Sequence, residues 1–481
     1  MPADCRVVRI RAARVSRVGT ISAAAITLLA CHTGPSFNSP PPSYSIRANL
    51  TGLIGSGLAV QVQTVTSLTG ATVTCSFPRG STGAQSLSCE GGYSGSYVIT
   101  VTTQPSIPSQ TCVVTNGAGT IGNADVTNVG IACTTNASRF AFVGSTSSNN
   151  ITGYSIDAAN GTLTPLAQSP FAATAPLFVA VDPSGGYALV GDASSPSVSI
   201  YAINPTSGVP TAISGSPFAG GHGSSAAVID APDHLVYVTN QVDSTISGYF
   251  YNPSSGALTM IPGSPFAAGN GPISISMTPD HSLTAAGPFV YVANNASSSV
   301  SAYVAELTTG SLSPVSGSPF SAGRGPSSVA VDPSSQFVYV TNQTDGTVSA
   351  WKIDQTATNP GTLAAIAGSP FAAGSGPVAI VIDAYDRFVY VANNADNTVS
   401  GYTINPATGA LVAIAGSPYA AGTGPDSLAV DNLGKFLFVT NGGSNTVSVY
   451  AIDAASGALT PSVGSPFAVA VGPNSIALSN P

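Results

Sequence analysis

The chain has 481 residues, of which only 7% are charged, with 12 Lys and Arg against 20 Asp and Glu. Five of the basic residues precede residue 31, so the chain from residue 31 onward carries seven basic and nineteen acidic residues, a net charge of −12. A surface this acidic repels nucleic acid, which excludes nucleic acid as a partner. Abundant Gly (52) and Pro (37) beside 43% hydrophobic residues are typical of a turn-rich all-β protein and argue against disorder.

Residues 1–30 have the pattern of an export signal. Five arginines precede an apolar run at residues 21–30, which is too short to span a bilayer. The sequence Leu28-Leu29-Ala30-Cys31 resembles the bacterial lipobox, and this resemblance implies that Cys31 is lipidated and becomes the mature N-terminus. The residue after Cys31 is His32 and not Asp, which resembles the pattern of lipoproteins that are sorted to the outer membrane. An ordinary cleaved signal with an incidental Cys31 is the alternative.

We therefore expect an exported bacterial protein that is held by a lipid anchor at the periplasmic side or the surface of the outer membrane. Residues 31–43 are rich in Pro and Ser, which predicts an extended linker that suits a tether.

Residues 44–135 predict a small β-sandwich-like domain. Short stretches alternate apolar and polar residues and are separated by Gly-rich turns. The repeats that follow this segment contain no cysteine. The segment itself contains four, which allow three disulfide pairings: Cys75, Cys89, Cys112 and Cys133. A metal site is the alternative, but the segment has no Cys-x-x-Cys motif and no nearby His.

The stretch from Gln110 to Gly117, with its counterpart from Asn128 to Cys133, resembles a small β-domain common in exported bacterial proteins. This resemblance implies a Cys112–Cys133 disulfide, which leaves Cys75–Cys89 as the second pair. Disulfides would stabilise an exported domain with so small a core.

Residues 138–481 consist of seven copies of a repeat of about 48 residues, the spacing expected of one propeller blade. Each copy contains a strand of the type Val-Tyr-Val-Thr-Asn; the seven copies begin at Phe140, Tyr187, Val236, Val290, Val338, Val389 and Leu437. Each also contains Ser-Pro-Phe or, once, Ser-Pro-Tyr; the aromatic residues are Phe171, Phe218, Phe266, Phe320, Phe371, Tyr419 and Phe467. Four strand-length stretches per copy predict four-stranded blades.

The two ends of the repeat region predict a closed ring. The first copy begins near Arg139 with its second strand, and the chain finishes with a lone first strand at residues 475–479. A linear solenoid would need atypical capping units and has no use for such a half-unit. We therefore predict a seven-bladed β-propeller in which the C-terminal strand completes the first blade.

The Val-Tyr-Val-Thr-Asn strands resemble the exported bacterial proteins named for that repeat, and residues 138–481 resemble the seven-bladed lactonase-like propellers. Better-known cytoplasmic members of that family hydrolyse 6-phosphogluconolactone, so the resemblance implies a lactonase. The matching motifs are strand and turn residues, which indicate the fold more strongly than the chemistry.

Chemistry is expected on the face that carries the loops from outer to inner strand and from second to third strand. The first loop reads Ala-Ala-Gly-x-Gly-Pro, and x is His222, Asn270, Arg324, Ser375, Thr423 and Val471 in successive copies. After the Gly-Pro stand Ile273, Ser327, Val378, Asp426 and Asn474. His222, Arg324 and Asp426 are candidates for the base, anion clamp and orienter of lactone opening. The alternative is that x is a variable, solvent-facing position.

Asn270, Ser375, Thr423 and Asn474 are candidate ligand-binding residues at this rim. The second-to-third-strand loops are rich in Asn and Asp, which would suit Ca²⁺ or a sugar, but these residues are also ordinary turn formers and no loop has several adjacent carboxylates. We therefore expect no cofactor and no metal.

Two functions follow from these observations. The first is an extracytoplasmic binding or scaffold propeller that we expect to be monomeric and to bind a carbohydrate, a small molecule or a protein at its rim. The second is a lactonase. Only one of the five basic residues of the propeller, Arg324, lies at the rim, which disfavours a phosphorylated substrate.

Overall fold

A computed structural model describes residues 44–479 except for the short segments 56, 66–69, 78–80, 82, 88–94, 106–108, 123, 231–232, 280–286 and 357. The signal, the linker, Cys31, Cys89 and His281 therefore lie outside the described residues. The described residues form strands and turns, with no helix among them. Accordingly, this part of the chain offers no apolar helix of membrane-spanning length.

The N-terminal part of the described chain forms two four-stranded sheets. Their strands are β1 (Ile46–Thr51), β2 (Leu58–Val65), β3 (Gly70–Phe77), β4 (Gly83–Ser86), β5 (Gly95–Thr103), β6 (Gln110–Thr115), β7 (Ala118–Ile121) and β8 (Val126–Thr135). The sheet orders are β4-β1-β8-β6 and β3-β2-β5-β7. Alternating residues of both sheets, such as Leu50 and Val60, form one buried core. The predicted small all-β domain is therefore present.

The predicted Cys112–Cys133 disulfide is confirmed. The two residues lie opposite each other on the paired strands β6 and β8, and their sulfur atoms are bonded. Cys75 is buried, and its Sγ lies 3.7 Å from the carbonyl oxygen of Leu87. Because Cys89 lies outside the described residues, the Cys75–Cys89 pair stays a prediction.

The rest of the described chain forms seven sheets, which we number as blades 1 to 7. Blades 1 to 3 contain β9 (Phe140–Ser145), β10 (Asn150–Ile156), β11 (Leu163–Pro165) and β12 (Phe171–Ala172); β13 (Pro176–Val181), β14 (Tyr187–Asp192), β15 (Ser197–Ile203), β16 (Pro210–Ala212) and β17 (Phe218–Ala219); and β18 (Ser224–Asp230), β19 (Leu235–Asn240), β20 (Thr245–Tyr251), β21 (Leu258–Met260) and β22 (Phe266–Ala267).

Blades 4 and 5 contain β23 (Pro272–Met277), β24 (Phe289–Asn294), β25 (Ser299–Ala305), β26 (Leu312–Pro314) and β27 (Phe320–Ser321); and β28 (Pro326–Val331), β29 (Phe337–Asn342), β30 (Thr347–Ile353), β31 (Leu363–Ala365) and β32 (Phe371–Ala372). Blades 6 and 7 contain β33 (Pro377–Ile382), β34 (Phe388–Asn393), β35 (Thr398–Ile404), β36 (Leu411–Ala413) and β37 (Tyr419–Ala420); and β38 (Pro425–Val430), β39 (Phe436–Asn441), β40 (Thr446–Ile452), β41 (Leu459–Pro461) and β42 (Phe467–Ala468). The last strand is β43 (Pro473–Ser479).

Each blade is an antiparallel sheet of an inner, a second, a third and an outer strand, and the outer strand is split into two short pieces. In blade 5, Val329 of the inner strand lies opposite Val340 of the second, which lies opposite Ser349 of the third. Second strands such as Phe337–Asn342 are buried on both faces. Their β-branched and aromatic residues fill the space between neighbouring blades, which explains why this strand is the most regular part of the repeat.

The predicted ring closure is confirmed. The C-terminal strand β43 pairs antiparallel with β9, so that Ile476 lies opposite Val143 and Ala477 opposite Phe142. Blade 1 is thus built from both ends of the repeat region. The inner strands of neighbouring blades pack side by side around the whole ring, including β43 against β13 and β38. A seven-bladed propeller, and not an open solenoid, is the fold.

Candidate functional site

Two sets of loops meet at one face of the ring, which we call the rim: the loops that lead into each inner strand and the loops between second and third strands. In blade 5 the backbone N–H of Arg324 donates to the Asp345 carboxylate at 2.6 Å. In blade 6 the N–H of Ser375 donates in the same way to Asp396 at 2.5 Å. The Asp of one loop therefore fixes the backbone of the other within the same blade.

His222 lies at this rim, in blade 3. Its N–H donates to Asp243 at 2.7 Å, and its Nδ1 lies 3.1 Å from the same carboxylate. The His222 side chain is 64% exposed. The backbone N–H of His222, together with its ring, holds the pKa of Asp243 below its ordinary value.

Arg324 occupies the equivalent place in blade 5. Its Nε donates to Asp345 at 2.7 Å, and its side chain is 73% exposed. The backbone N–H and the guanidinium of Arg324 lower the pKa of the Asp345 carboxyl. The positive charge of Arg324 is therefore already shared with a neighbouring carboxylate, which weakens Arg324 as an anion clamp.

Asp426 is half-buried at the start of the inner strand of blade 7. Its Oδ1 accepts a hydrogen bond of 2.6 Å from the Asn394 side chain of blade 6, and the N–H of Gly442 also donates to it. Burial raises the pKa of Asp426 to about 6, although both hydrogen bonds oppose this rise. A carboxyl that titrates near neutrality can accept or release a proton under ordinary conditions.

The three candidate catalytic residues all lie at the rim, but they belong to blades 3, 5 and 7. At least one whole blade separates any two of them. Each side chain bonds a different partner: His222 bonds Asp243, Arg324 bonds Asp345, and Asp426 bonds Asn394. His222, Arg324 and Asp426 therefore do not contact one another as the members of a catalytic triad do.

The candidate ligand-binding residues divide into two kinds. Asn270, Ser375 and Thr423 are exposed on their rim loops. Asn474 is half-buried, and its Nδ2 donates to the carbonyl oxygens of Pro176 and Leu177, at 3.1 and 2.8 Å. Asn474 thus joins blade 1 to blade 2, so that its amide donor is already bonded to protein.

Sequence reasoning missed this set of bonds between blades. Ser327 of blade 5 donates to the carbonyl oxygen of Pro377 in blade 6, at 2.7 Å, and Ser225 makes the equivalent bond to Pro272 at 2.9 Å. The Asn295 side chain does the same with Pro326 of the next blade, at 3.1 Å. The Gly-Pro that opens five of the seven inner strands was the available signal, because a carbonyl at that place faces the preceding blade.

The repeated serines are part of the scaffold. In each Ser-Pro motif the serine hydroxyl accepts a hydrogen bond from a third-strand N–H, as Ser318 does from Ala302 at 2.9 Å. The Ser-Pro peptide is cis in all seven copies. His222 bonds Asp243 and none of these hydroxyls, so none of them is placed as an activated nucleophile.

The Asp residues of the second-to-third-strand loops bond backbone N–H groups, which supports the interpretation of these loops as turns. Within the described residues no cluster of three or more His, Cys, Asp or Glu side chains has the arrangement of a metal site.

Comparison with known proteins agrees with this architecture. A family model described as "Lactonase, 7-bladed beta-propeller" matches residues 114–222, 217–369 and 281–472. No curated protein matches the chain. A candidate 6-phosphogluconolactonase from Bacteroides uniformis is similar in structure, with a TM-score of 0.59 and 18% identity over 71% of this chain and 99% of that chain.

The periplasmic gluconolactonase of Pseudomonas aeruginosa is also similar, with a TM-score of 0.58 and 20% identity over 71% of this chain and 99% of that chain. A protein from Lactobacillus plantarum matches with a TM-score of 0.57 and 21% identity over 71% and 99% of the two chains. At these identities the structural similarity concerns the fold, while the side chains at the rim have to be judged on their own chemistry.

Proposed function

The chain belongs to the lactonase family of seven-bladed β-propellers, and from this premise we propose that it is an exported, lipid-anchored propeller that binds a neutral carbohydrate at its rim. One observation carries this proposal. Five rim loops share the Gly-x-Gly pattern and a sixth has Ala-x-Gly, yet the six present different exposed side chains at x: His222, Asn270, Arg324, Ser375, Thr423 and Val471. Varied polar groups on rigid loops are typical of a recognition surface.

The backbone of these loops is fixed by the scaffold and not by the variable side chain. In blade 5, Gly325 has a φ of 64°, a conformation that favours glycine, and Asp345 holds the intervening N–H. The Arg324 side chain itself extends into solvent. A substitution at position x can therefore change the binding specificity without disturbing the blade.

The charge of the molecule favours a neutral ligand. The chain from residue 31 onward carries a net charge of −12, and the cation that the rim does offer, Arg324, is paired with Asp345. Hydroxyl and amide groups such as those of Thr423 and Asn270 both donate and accept hydrogen bonds, as recognition of sugar hydroxyls requires. A phosphorylated sugar would lack the several cations that phosphate sites normally provide.

The location at the cell envelope is supported by two features. The lipobox-like sequence ending at Cys31 follows an export signal. The Cys112–Cys133 disulfide is of the kind that persists in oxidising compartments. Labelling of cells with radioactive palmitate tests the anchor: the wild-type chain takes up label and a Cys31→Ala variant does not, whereas equal labelling of both would refute it.

Isothermal titration of the purified protein with a panel of neutral oligosaccharides tests the binding. We expect at least one ligand whose affinity falls about tenfold or more, or about 1.4 kcal/mol, when Asn270, Ser375 and Thr423 are replaced together by Ala. Thr206→Ala, in an exposed loop of the opposite face, is the matched control and should leave the affinity unchanged. Equal loss in both variants, or no binding at all, would contradict the proposal.

Lactone hydrolysis is the second candidate, and the observation that favours it is Asp426. Its pKa near 6 suits a group that accepts a proton from an attacking water at neutral pH. Hydrolysis of a neutral sugar lactone should then rise through a pH of about 6 and be abolished by Asp426→Asn. His222→Ala should have a smaller effect, because the His222 side chain is exposed and bonded to Asp243. Activity that Asp426→Asn leaves intact would remove this candidate.

A further inference from the structure

The central channel of the propeller contains a cavity at the face opposite the rim. Its volume is about 420 Å³, within the range of sites that hold small organic molecules. All seven blades contribute to its lining, through the ends of their inner strands and the turns that follow. The rim residues discussed above are not part of this lining.

The lining is mainly aliphatic. The sixth position of the inner strand carries an aliphatic or thioether side chain in every blade: Val181, Ile229, Met277, Val331, Ile382, Val430 and Leu478. Six of these seven line the cavity, and other apolar side chains such as Val228 and Ile380 add to it. Apolar surface of this kind is stabilised when a ligand removes it from water.

The carboxyls in the lining of the cavity disfavour an anion. Among the described residues that line it there is no Lys, Arg or His, but there are two carboxyls, Asp182 and Asp431. Both accept backbone hydrogen bonds, from Tyr187 at 2.6 Å and from Phe436 at 2.7 Å, and burial raises the pKa of both. Among the described residues an acidic ligand would meet these carboxyls and no cation and would be repelled, whereas a neutral ligand would not.

One polar group of the lining lacks a partner. The Nδ2 of Asn432 is buried and makes no hydrogen bond within the described residues, whereas its backbone N–H donates to Ser138 Oγ at 3.3 Å. A buried amide donor is destabilising unless an acceptor is supplied. Once the side chain turns toward the cavity, a carbonyl oxygen of a bound molecule would supply it.

We propose that this cavity is a second binding site, for a neutral and mainly apolar small molecule whose carbonyl group accepts a hydrogen bond from Asn432. The site is independent of the rim, since the two lie at opposite faces of the ring. Its occupation would therefore leave carbohydrate binding at the rim sterically unhindered.

Fluorescence titration of the purified, intact protein with three naphthalene probes tests this proposal. Prodan is neutral and has a ketone, phenylnaphthylamine is neutral and has none, and anilinonaphthalene sulfonate is anionic with nearly the same rings as phenylnaphthylamine. We expect saturable, blue-shifted emission from both neutral probes and an affinity about tenfold lower, or about 1.4 kcal/mol weaker, for the sulfonate. Absence of saturable binding, or equal affinity for the sulfonate, would overturn the proposal.

Two variants locate the site. Ala330→Phe places a ring in the cavity and should weaken both neutral probes about tenfold or more, whereas Ala365→Phe, exposed on the outer strand of the same blade, should not. Asn432→Leu should weaken prodan about fivefold and leave phenylnaphthylamine unchanged, because only prodan has the acceptor. Thermal unfolding confirms that each variant is folded. Binding that a folded Ala330→Phe protein retains in full would refute the site, and equal effects of Asn432→Leu on both probes would refute the role of its amide.

Discussion

Asp243 and Asp426 lie at the same face of the ring, yet their acid strengths are shifted in opposite directions. Asp243 is exposed and accepts hydrogen bonds from His222, which stabilise its charged form and lower its pKa. Asp426 is half-buried between blades, and burial outweighs its two hydrogen bonds and raises its pKa to about 6. The contrast shows that the surroundings of each residue, and not its place at the rim, determine its protonation state.

Asp426→Asn should stabilise the protein above a pH of about 6. The raised pKa means that the folded state binds more protons than the unfolded state, whose Asp titrates near 3.8. Stability from this group is therefore full below about 4 and is lost as the pH rises through about 6. Asn imitates the protonated carboxyl, so the melting temperature of the variant should exceed that of the wild type at pH 8 (roughly two units above this pKa) and the two should converge near pH 4.

Asp243→Asn is the matched control, because the pKa of Asp243 is lowered. Its stabilising effect is present above the pKa of the unfolded chain and is lost on acidification, so this substitution should not stabilise the protein in alkaline buffer. If Asp426→Asn instead lowered the melting temperature in alkaline buffer, the ionised Asp426 carboxylate would be stabilising the folded protein, contrary to this prediction.

At the scale of the strand, the last residue of the second strand explains much of the repeat. Asn342 is buried, and its amide donates to the hydroxyls of Thr347 and Ser349, at 3.0 and 2.9 Å. This links the second and third strands below the rim. Gly323, the first Gly of the rim loop that leads into the same blade, packs directly against this amide, so a side chain at Gly323 has no room.

Gly323→Ala should destabilise the propeller by on the order of 1–3 kcal/mol, since overpacking of a tight interior costs this much. A Cβ at Gly323 would lie 2.5 Å from Asn342 Cγ, far inside van der Waals contact. Gly186→Ala is the control, because its Cβ would meet no atom closer than 3.4 Å. Denaturant unfolding measures both, and equal stability of the two variants would contradict the steric explanation.

Neighbouring blades are also joined through the tyrosines of the second strands. The Tyr339 hydroxyl donates to the carbonyl oxygen of Gly409 in the next blade, at 2.8 Å, and Tyr237, Tyr291 and Tyr390 make equivalent bonds. Tyr339→Phe should therefore lower the free energy of unfolding by about 1 kcal/mol. Tyr419→Phe removes an exposed bond of 3.2 Å and should change it little. The opposite order of the two effects would disprove this function of Tyr339.

At the scale of the whole molecule, the sequence predicted the blades because each motif encodes a local element. The Val-Tyr-Val-Thr-Asn stretches are strands, and the unmatched halves at the two ends, near Arg139 and at residues 475–479, required closure of the ring. The pairing of Cys112 with Cys133 followed from resemblance and is present. These features depend on chain order and repetition, which the sequence displays directly.

The side-chain partners at the rim were not predicted, because they depend on which loops meet in space. His222, Arg324 and Ser375 each bond an Asp that lies 21 residues later in the same blade. This constant spacing is visible in the sequence but has no meaning until the two loops are known to touch. The bond of Asn474 to blade 2 joins the two ends of the repeat region, and the Pro at its acceptor does not reveal which side chain donates.

Removal of residues 473–481 should prevent the ring from closing. Blade 1 would lose its inner strand, and β9, whose Phe142 and Val143 are fully buried, would become an open edge that can pair with another molecule. The loss of contacts with both neighbouring inner strands, β13 and β38, should add to the destabilisation. We expect aggregation in size-exclusion chromatography and a strongly lowered melting temperature, whereas removal of Asn480 and Pro481 alone, which follow the strand, should leave both unchanged.

Because the strand pairs with β9 without a covalent bond, a synthetic peptide of the Pro473–Ser479 sequence should partly restore the melting temperature of the truncated chain. A truncated chain that remains monomeric and melts at the wild-type temperature would mean that packing between the other blades, and not closure by this strand, maintains the ring.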